Sequence, residues 1–357
     1  MTSPDSIDIE QNVALAPLTT LKVGGPARFF VRASNESQVA KAFEYADKND
    51  LDVFVLGGGS NILVSDDGFN GLVVNVALKG VTASEPRDRA DGSDVVAITA
   101  SAGEDWDKFV ETCVNQDLAG VECLSGIPGF VGGTPVQNVG AYGQEVSESI
   151  ASVRCFDRAT RSIIDLDNSE CGFTYRTSIF NSTERDRYVV LSVTYNLTSN
   201  GEPKIAYRDL KDHFSDLPPT LKDTRDAVLN IRRAKSMVID PDDPNSRSAG
   251  SFFKNPIVDP EHFEKIVKAS EHENVTHFPA AENRIKVPAA WLIERAGFHK
   301  GFRSGKAGIS TNHSLALVNL GGATAAEIVA LKEKIQDGVR QKFDILLQPE
   351  PVFVGFE

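Results

Sequence analysis

The chain has 357 residues, 41% hydrophobic and 24% charged, the balance of a globular protein too long for one ordinary core and so built of two or three domains. Its formal net charge of −13 disfavours nucleic acid and anionic membrane as general partners, because phosphate binding needs a basic footprint. No stretch approaches an uninterrupted membrane span, and the acidic, polar Met1–Gln11 lacks the basic and apolar regions of a signal peptide, so a cytoplasmic protein is expected. Cys113, Cys123, Cys155 and Cys171 form no Cys-x-x-Cys pair and have no nearby histidine pair, which indicates neither zinc nor a disulfide framework and predicts buried free thiols. The six histidines, His299 and His313 among them, show no ligand spacing; they are expected at the surface or in hydrogen bonds, and no metal is expected.

In chain order, Val31–Ala33 ends a strand-like run, and Ser37–Lys48 places Val39, Phe43 and Ala46 on one helical face. Val53–Leu56 is a short apolar strand running into Gly57-Gly58-Gly59-Ser60-Asn61, followed by Ile62–Val64. Leu72–Ala77 and Val95–Ala100 read as further strands, and Trp106, Phe109, Val110, Cys113 and Val114 as a helical stripe, an α+β or α/β pattern. Farther on, Phe263, Ile266 and Val267 form one helical stripe, Ala289–Ala296 a short helix and Leu315–Leu320 a strand. Thr324 with Glu327 is a capping-box pattern that starts a helix carrying Ile328, Leu331, Lys332 and Ile335; a last strand brings Glu350 back.

Two glycine-rich stretches stand out. Three glycines and a Ser-Asn after a strand let backbone N–H groups approach an anion, and a plain tight turn explains them equally well. Gly57–Asn61 is neither a Walker loop, lacking Gly-Lys-Ser/Thr, nor the dinucleotide fingerprint, lacking the third glycine that opens a helix. The run from Ser125 to Gly143 has six glycines among Ile, Val, Phe and Tyr and little charge, which suits a backbone bed for an extended cofactor better than a linker; glycines at crowded crossings are the alternative.

The segment Ser248–Pro256 holds a serine, Ser251, between an Ala-Gly pair and two phenylalanines. A hydroxyl fixed in an apolar wall needs a partner, which is either a satisfied turn or a substrate. Arg232, Arg233 and Lys235 follow a helical pattern and form either a solvated helix end or a local pocket for an anionic small molecule.

These motifs, with Thr19-Thr20-Leu21-Lys22-Val23-Gly24-Gly25-Pro26-Ala27, resemble the UDP-N-acetylenolpyruvoylglucosamine reductase family of vanillyl-alcohol-oxidase-like flavoproteins. Phe173–Phe180 resembles that family's Tyr-Arg-x-Ser-x-Phe signature, Ala249–Pro256 its serine motif, and Gln348–Gly355 its closing glutamate motif, so the likeness runs from about Leu18 to Gly355. It implies an α+β fold: a two-lobed FAD-binding domain of the vanillyl-alcohol-oxidase (PCMH) type over 13–200, split near 80–95; a tyrosine loop and connecting helix over 201–240; and a smaller α+β substrate-binding domain over 241–350. It further implies non-covalent FAD held by Gly57, Gly58, Gly59, Ser60, Asn61, Ile127, Pro128, Gly129, Gly132, Gly133, Thr134, Gln137, Asn138, Gly140, Ala141 and Arg232, with NADPH as co-substrate.

The reaction so implied reduces the enolpyruvyl ether of a UDP-sugar, with hydride passing from the flavin N5 to the β-carbon. Arg176 and a protonated Glu350 would stabilise charge on the carboxylate, and Ser251 would give a proton to the α-carbon, all three converging beside the flavin ring. Pro203–Leu210 resembles the loop of the family's first type, whose tyrosine, here Tyr207, closes over the substrate; Lys235 and Asn255 match positions near the diphosphate and substrate. No nucleic acid, membrane or obligate protein partner is expected. An FAD-dependent alcohol or hydroxy-acid oxidase of the same superfamily is the alternative, but it often attaches its flavin through a histidine, and neither glycine-rich stretch contains one. A non-catalytic nucleotide-binding module would have no need of Ser251, Arg176 and Glu350 together.

Overall fold

A computed structural model describes residues 6–88, 94–214, 218–270 and 274–356; residues 1–5 of the acidic tail and 89–93 of the expected subdomain split lie outside it. The chain divides into two compact units, one of Met1–Val13, Ala27–Gly58 and Asn70–Arg233, the other of Ala14–Pro26, Gly59–Phe69 and Ala234–Glu357.

The chain opens with strands β1 (Glu10–Ala14) and β2 (Pro26–Ala33), helix α1 (Glu36–Lys48), and strands β3 (Val53–Leu56), β4 (Ile62–Val64) and β5 (Phe69–Val76). In the first unit, β1, β2, β5 and β3 lie side by side in that order, β3 parallel to β5. α1 starts one residue before the pattern predicts because the Asn35 side chain accepts from Gln38 N (2.8 Å), and it buries Val39, Ala42, Phe43 and Ala46 on one face. β5 runs apolar through Leu72, Val73 and Val74, all buried, as a strand covered on both faces must.

The remaining elements of this unit are β6 (Val81–Ala83), β7 (Arg87–Asp88), β8 (Asp94–Ser101), α2 (Trp106–Asn115), β9 (Leu118–Ala119), β10 (Gly140–Ala141), β11 (Gln144–Glu145), β12 (Ile150–Asp157), β13 (Ser162–Asp167), β14 (Tyr188–Ser199), α3 (Arg208–His213) and α4 (Leu221–Ala234). A seven-stranded sheet runs β13-β12-β14-β8-β6, with β7 also on β8 and β9 on β14. Trp106 and Phe109 of α2 pack on Tyr195 of β14, with ring centroids 5.0–5.8 Å apart. Burying these polar-tipped rings is tolerable because both tips are bonded: Trp106 Nε1 donates to Leu124 O (3.0 Å), and Tyr195 OH pairs with Thr134 Oγ1 (2.7 Å).

The second unit contains β15 (Ile257–Val258), α5 (Pro260–Ala269), β16 (Phe278–Pro279), β17 (Ile285–Lys286), α6 (Ala289–Arg295), β18 (Arg303–Ser304), β19 (Ala307–Ile309), β20 (Leu317–Asn319), α7 (Ala325–Phe343) and β21 (Val352–Val354), together with β4. Its core gathers Ile328, Leu331, Ile335 and Val339 of α7 with Leu292, Ile293, Ile309 and Leu317. The capping box forms as the sequence predicts: Glu327 N donates to Thr324 Oγ1 (3.1 Å) and Thr324 N to Glu327 Oε2 (3.0 Å). Asp66 accepts from the next two N–H groups, those of Ala325 and Ala326. The predicted strand Leu315–Leu320 shortens to β20 because the Leu315 carbonyl instead accepts from Phe252 N (2.8 Å). β21 lies parallel to β4, pairing Val352 with Ile62 and Val354 with Val64.

The four cysteines are free and buried. Burial pushes the Cys113 and Cys123 thiols up to about 12, so neither carries a thiolate at neutral pH.

One ion pair of the first unit bears directly on the long glycine stretch. Arg225, on α4 and nearly buried, donates Nη1 to Asp107 Oδ1 (2.6 Å) and Nη2 to Asp107 Oδ2 (3.0 Å), and the same Oδ1 accepts from Gly126 N (2.6 Å). Burial alone would raise the Asp107 pKa, but the Arg225 hydrogen bond, the Gly126 N–H and the charges of Arg225 and Arg232 together hold it below its ordinary 3.8. Because the folded value is depressed, the carboxylate's stabilisation is full above the ordinary value and is lost as pH falls below it. Asp107→Asn is expected to cost about 2 kcal/mol in urea unfolding at pH 7, less than the roughly 3–5 kcal/mol of a fully buried pair because Asp107 is partly open to water. The variant should also lose part of the wild-type stability decline below pH 4; an unchanged midpoint at pH 7 would show that the pair does not hold the loop.

Candidate active site

In the first unit the two glycine-rich stretches meet. The turn after β3 is fixed by buried Asn75 of β5, whose Nδ2 donates to Leu56 O (3.0 Å) and Gly57 O (3.2 Å). A Cβ on Gly58 would lie 2.7 Å from Gly129 Cα and 2.9 Å from Phe130 N, so the two backbones touch where no side chain fits. Gly57 and Gly133, by contrast, have no atom within 4 Å of a Cβ position, which leaves bare backbone beside open space. That combination, a closed crossing flanked by open glycines, fits the backbone bed expected for a dinucleotide.

The long stretch is held at many points. Trp106 N donates to Gly129 O, Val131 N to Glu104 O and Gly132 N to Ala102 O, all at 2.9–3.0 Å. Thr134 and Asn138 are buried, and their side chains serve the protein itself. Thr134 Oγ1 bonds Val131 O and Tyr195 OH. Asn138 Nδ2 donates to Glu145 Oε2 (2.8 Å) and Thr174 O (3.1 Å), while its Oδ1 accepts from Ser147 N (3.1 Å). Ile127 and Ala141 are half-buried against the core, and Pro128 and Gln137 are also half-buried.

Arg176 joins this stretch. It sits at φ +54° in a turn where Thr174 and Thr177 exchange backbone hydrogen bonds, and Asn181 Nδ2 donates to its carbonyl (3.2 Å). Its Nη2 donates to Gly140 O (2.7 Å), and its guanidinium lies 5.4 Å from the Tyr175 ring centre. Two residues on, buried Ser178 donates its Oγ proton to Val136 O (2.6 Å), tying the arginine turn to the glycine stretch. At the far end of the stretch, Tyr142 packs edge-on against Tyr207, with centroids 5.5 Å apart at 88°. Tyr207 precedes α3 and is 46% exposed. Arg232 lies in the last turn of α4 and is buried, so it is no solvated helix end; burial lowers its pKa, opposed by a Tyr142 hydrogen bond and the Asp107 charge.

Gly59, Ser60 and Asn61 fall in the second unit. A Gly59 Cβ would lie 2.0 Å from Leu18 O, and its φ is +64°, so only glycine is unstrained there. Thr20 N donates to Gly59 O (3.0 Å) and Thr20 Oγ1 to Ser60 O (3.4 Å). Asn61 Nδ2 donates to Glu350 O (3.3 Å), and Val352 N to Asn61 O (3.0 Å). Glu350 N in turn donates to Phe252 O (2.9 Å), and Lys254 N to Gln348 O (2.9 Å). The serine and glutamate motifs therefore run side by side: Glu350 itself makes the backbone bond to Phe252, the residue after Ser251, and Ser251 and Glu350 are both half-buried. Ser251 Oγ lies 3.3 Å from His313 Nε2. Asn255 Oδ1 accepts from Ala289 N (2.9 Å) at the start of α6. Lys235 is half-buried and precedes Ser236, whose Oγ accepts from Asn312 Nδ2 (2.8 Å).

Of the three candidate catalytic residues, two, Ser251 and Glu350, are brought together in the second unit, while Arg176 lies against Gly140 in the first. Sequence reasoning missed Asn75, Asp107, Arg225 and Ser178 as holders of the glycine loops, and it did not pair His313 with Ser251. Among the described residues no group of His, Cys, Asp and Glu is disposed to hold a metal ion, and no helix is long and apolar enough to cross a membrane.

A family model of an FAD binding domain matches residues 27–167, and one of the C-terminal domain of UDP-N-acetylenolpyruvoylglucosamine reductase matches residues 242–354. The UDP-N-acetylenolpyruvoylglucosamine reductase of Thermobifida fusca is 46% identical, over 97% of this chain and 98% of its own length. That of Saccharopolyspora erythraea is 44% identical over 96% and 94%. The crystal structure of the Thermus caldophilus enzyme of that name, 24% identical, shares the fold with a TM-score of 0.66 across 98% of this chain and 100% of the other. The chain belongs to the UDP-N-acetylenolpyruvoylglucosamine reductase family.

Proposed function

We propose that this protein is an FAD-dependent, NADPH-consuming reductase that converts the enolpyruvyl ether of UDP-N-acetylglucosamine to UDP-N-acetylmuramate in peptidoglycan precursor synthesis. The observation that carries this is near full-length identity of 40–46% with reductases of that name, joined to the closed Gly58–Gly129 crossing with open backbone at Gly57 and Gly133. When bound, FAD would supply the hydride chemistry between NADPH and the substrate double bond.

The chain's own residues do the rest. The glycine backbones of Gly57–Gly59 and Gly129–Gly140 hold the diphosphate-bearing cofactor non-covalently, with Ser60, Asn61 and Arg232 as polar contributors. Hydride addition at the β-carbon pushes charge into the carboxylate. Arg176 meets that charge as a permanent cation; its Gly140 bond supports this by fixing the guanidinium beside the glycine stretch. Glu350, kept protonated, donates a hydrogen bond to the same oxygens. Ser251 gives its Oγ proton to the α-carbon, and the backbone bonds that join its segment to that of Glu350 support their acting together. Tyr207 covers the UDP-sugar, while Lys235 and Asn255 contact the diphosphate and substrate. The family matches over 27–167 and 242–354 support assigning 13–200 to FAD and 241–350 to the substrate, and 201–240 is the tyrosine loop with its connecting helix. The enzyme acts in the cytoplasm on small molecules and needs no protein partner.

In Ser251→Ala, flavin reduction by NADPH is expected within about twofold of wild type, while reoxidation by the enolpyruvyl substrate slows by roughly 10²–10⁴-fold in stopped-flow absorbance. Equal loss of both half-reactions would contradict the proton-donor role. For Tyr207→Phe the expected change is a KM for the UDP-sugar raised about fivefold, the value of one lost hydrogen bond; unchanged KM and turnover would remove the covering role.

A further inference from the structure

We infer that His313 is a positioning residue for proton transfer, its Nε2–H donating to Ser251 Oγ. This rests on the proton-donor reading of Ser251. The pair lies at 3.3 Å, and the histidine is built into place. The turn that carries it, Ser310–Ala316, closes on itself through Ser310 N to Ala316 O (2.9 Å) and Ala316 N to His313 O (3.1 Å). Thr311 N donates to Asn245 Oδ1 (3.0 Å), Asn312 Nδ2 to Ser236 Oγ (2.8 Å), and Ser314 Oγ to Glu294. Phe252, next to Ser251, bonds its N–H to Leu315 O (2.8 Å), so the serine and the histidine are registered through one backbone bond. Ser310 and Ser314 are buried, so the turn is packed as well as bonded.

The chemistry explains why such a neighbour helps. A serine hydroxyl is a weak acid, and negative charge builds on Oγ as its proton leaves for the α-carbon. A fixed N–H aimed at that oxygen stabilises the charge where it develops, as donors of an oxyanion hole do. It also occupies a lone pair of Oγ, which leaves the serine's own O–H to point at substrate. That role requires His313 to carry its proton on Nε2.

The test compares His313→Leu, which removes the donor, with His313→Gln, which keeps an amide N–H, measuring both half-reactions with NADPH and UDP-N-acetylenolpyruvoylglucosamine. In the leucine variant, reoxidation by the enolpyruvyl substrate should slow about 10²-fold, the cost of one lost oxyanion donor, with NADPH reduction within about twofold of wild type. The glutamine variant should recover most of the lost rate. Added to Ser251→Ala, His313→Leu should cost nothing more, since its partner is already gone. Leucine and glutamine variants slowed alike, or a double variant slower by the product of the two single effects, would overturn the inference. A normal rate in His313→Leu beside a slow Ser251→Ala would remove the histidine role alone. A normal rate in Ser251→Ala would remove the proton-donor reading beneath it.

Discussion

Where Gly58 meets Gly129 there is no room for a methyl group, and that steric fact orders the first unit. Two loops from distant parts of the chain approach backbone to backbone: Gly58 must be glycine because a Cβ would meet Gly129, Gly129 favours glycine because its φ is +127°, and each is held from behind because glycine alone is conformationally loose. Asn75 holds one side through the carbonyls of Leu56 and Gly57, and Asp107 holds the other through Gly126 N. Beside the closed crossing the backbone opens at Gly57 and Gly133. That bare backbone is the bed we propose for the cofactor's phosphates.

The polar residues of the glycine stretch mostly work for the protein. Thr134 and Asn138 are buried and bonded internally, and Ser178 ties the arginine turn to Val136. Such bonds convert a low-charge, glycine-rich run into a rigid rim, on which Arg176 is presented at a strained left-handed φ. The second unit solves the same problem with a backbone ladder. Bonds between the Phe252–Lys254 and Gln348–Glu350 segments run the serine and glutamate motifs side by side, and β4 beside β21 places Asn61 next to Glu350.

Much of this was legible in the sequence, and the illegible part has a common cause. Helical stripes such as Trp106–Val114 and the Thr324–Glu327 box are local signals, and they formed at the residues expected. The glycine stretches were readable as a pair by composition, but their contact was not, since a missing Cβ leaves no mark in a pattern. Asn75, Asp107 and Arg225 were invisible because their partners come from other elements. His313 was read only as a surface or hydrogen-bonded residue; its partner Ser251 is 62 residues away, and no spacing rule joins them. Arg232 was left open between two readings for a different reason: cations in a last helical turn are usually solvated, whereas this one is buried beside Tyr142.

The most direct measurement is an anaerobic redox titration of the purified holoprotein followed by its flavin absorbance. NADPH should bleach the oxidised flavin bands, and one equivalent of UDP-N-acetylenolpyruvoylglucosamine, added without oxygen, should restore them. Reduced flavin that ignores this substrate and recovers only when air is admitted would contradict the reductase account and mark the protein as an oxidase.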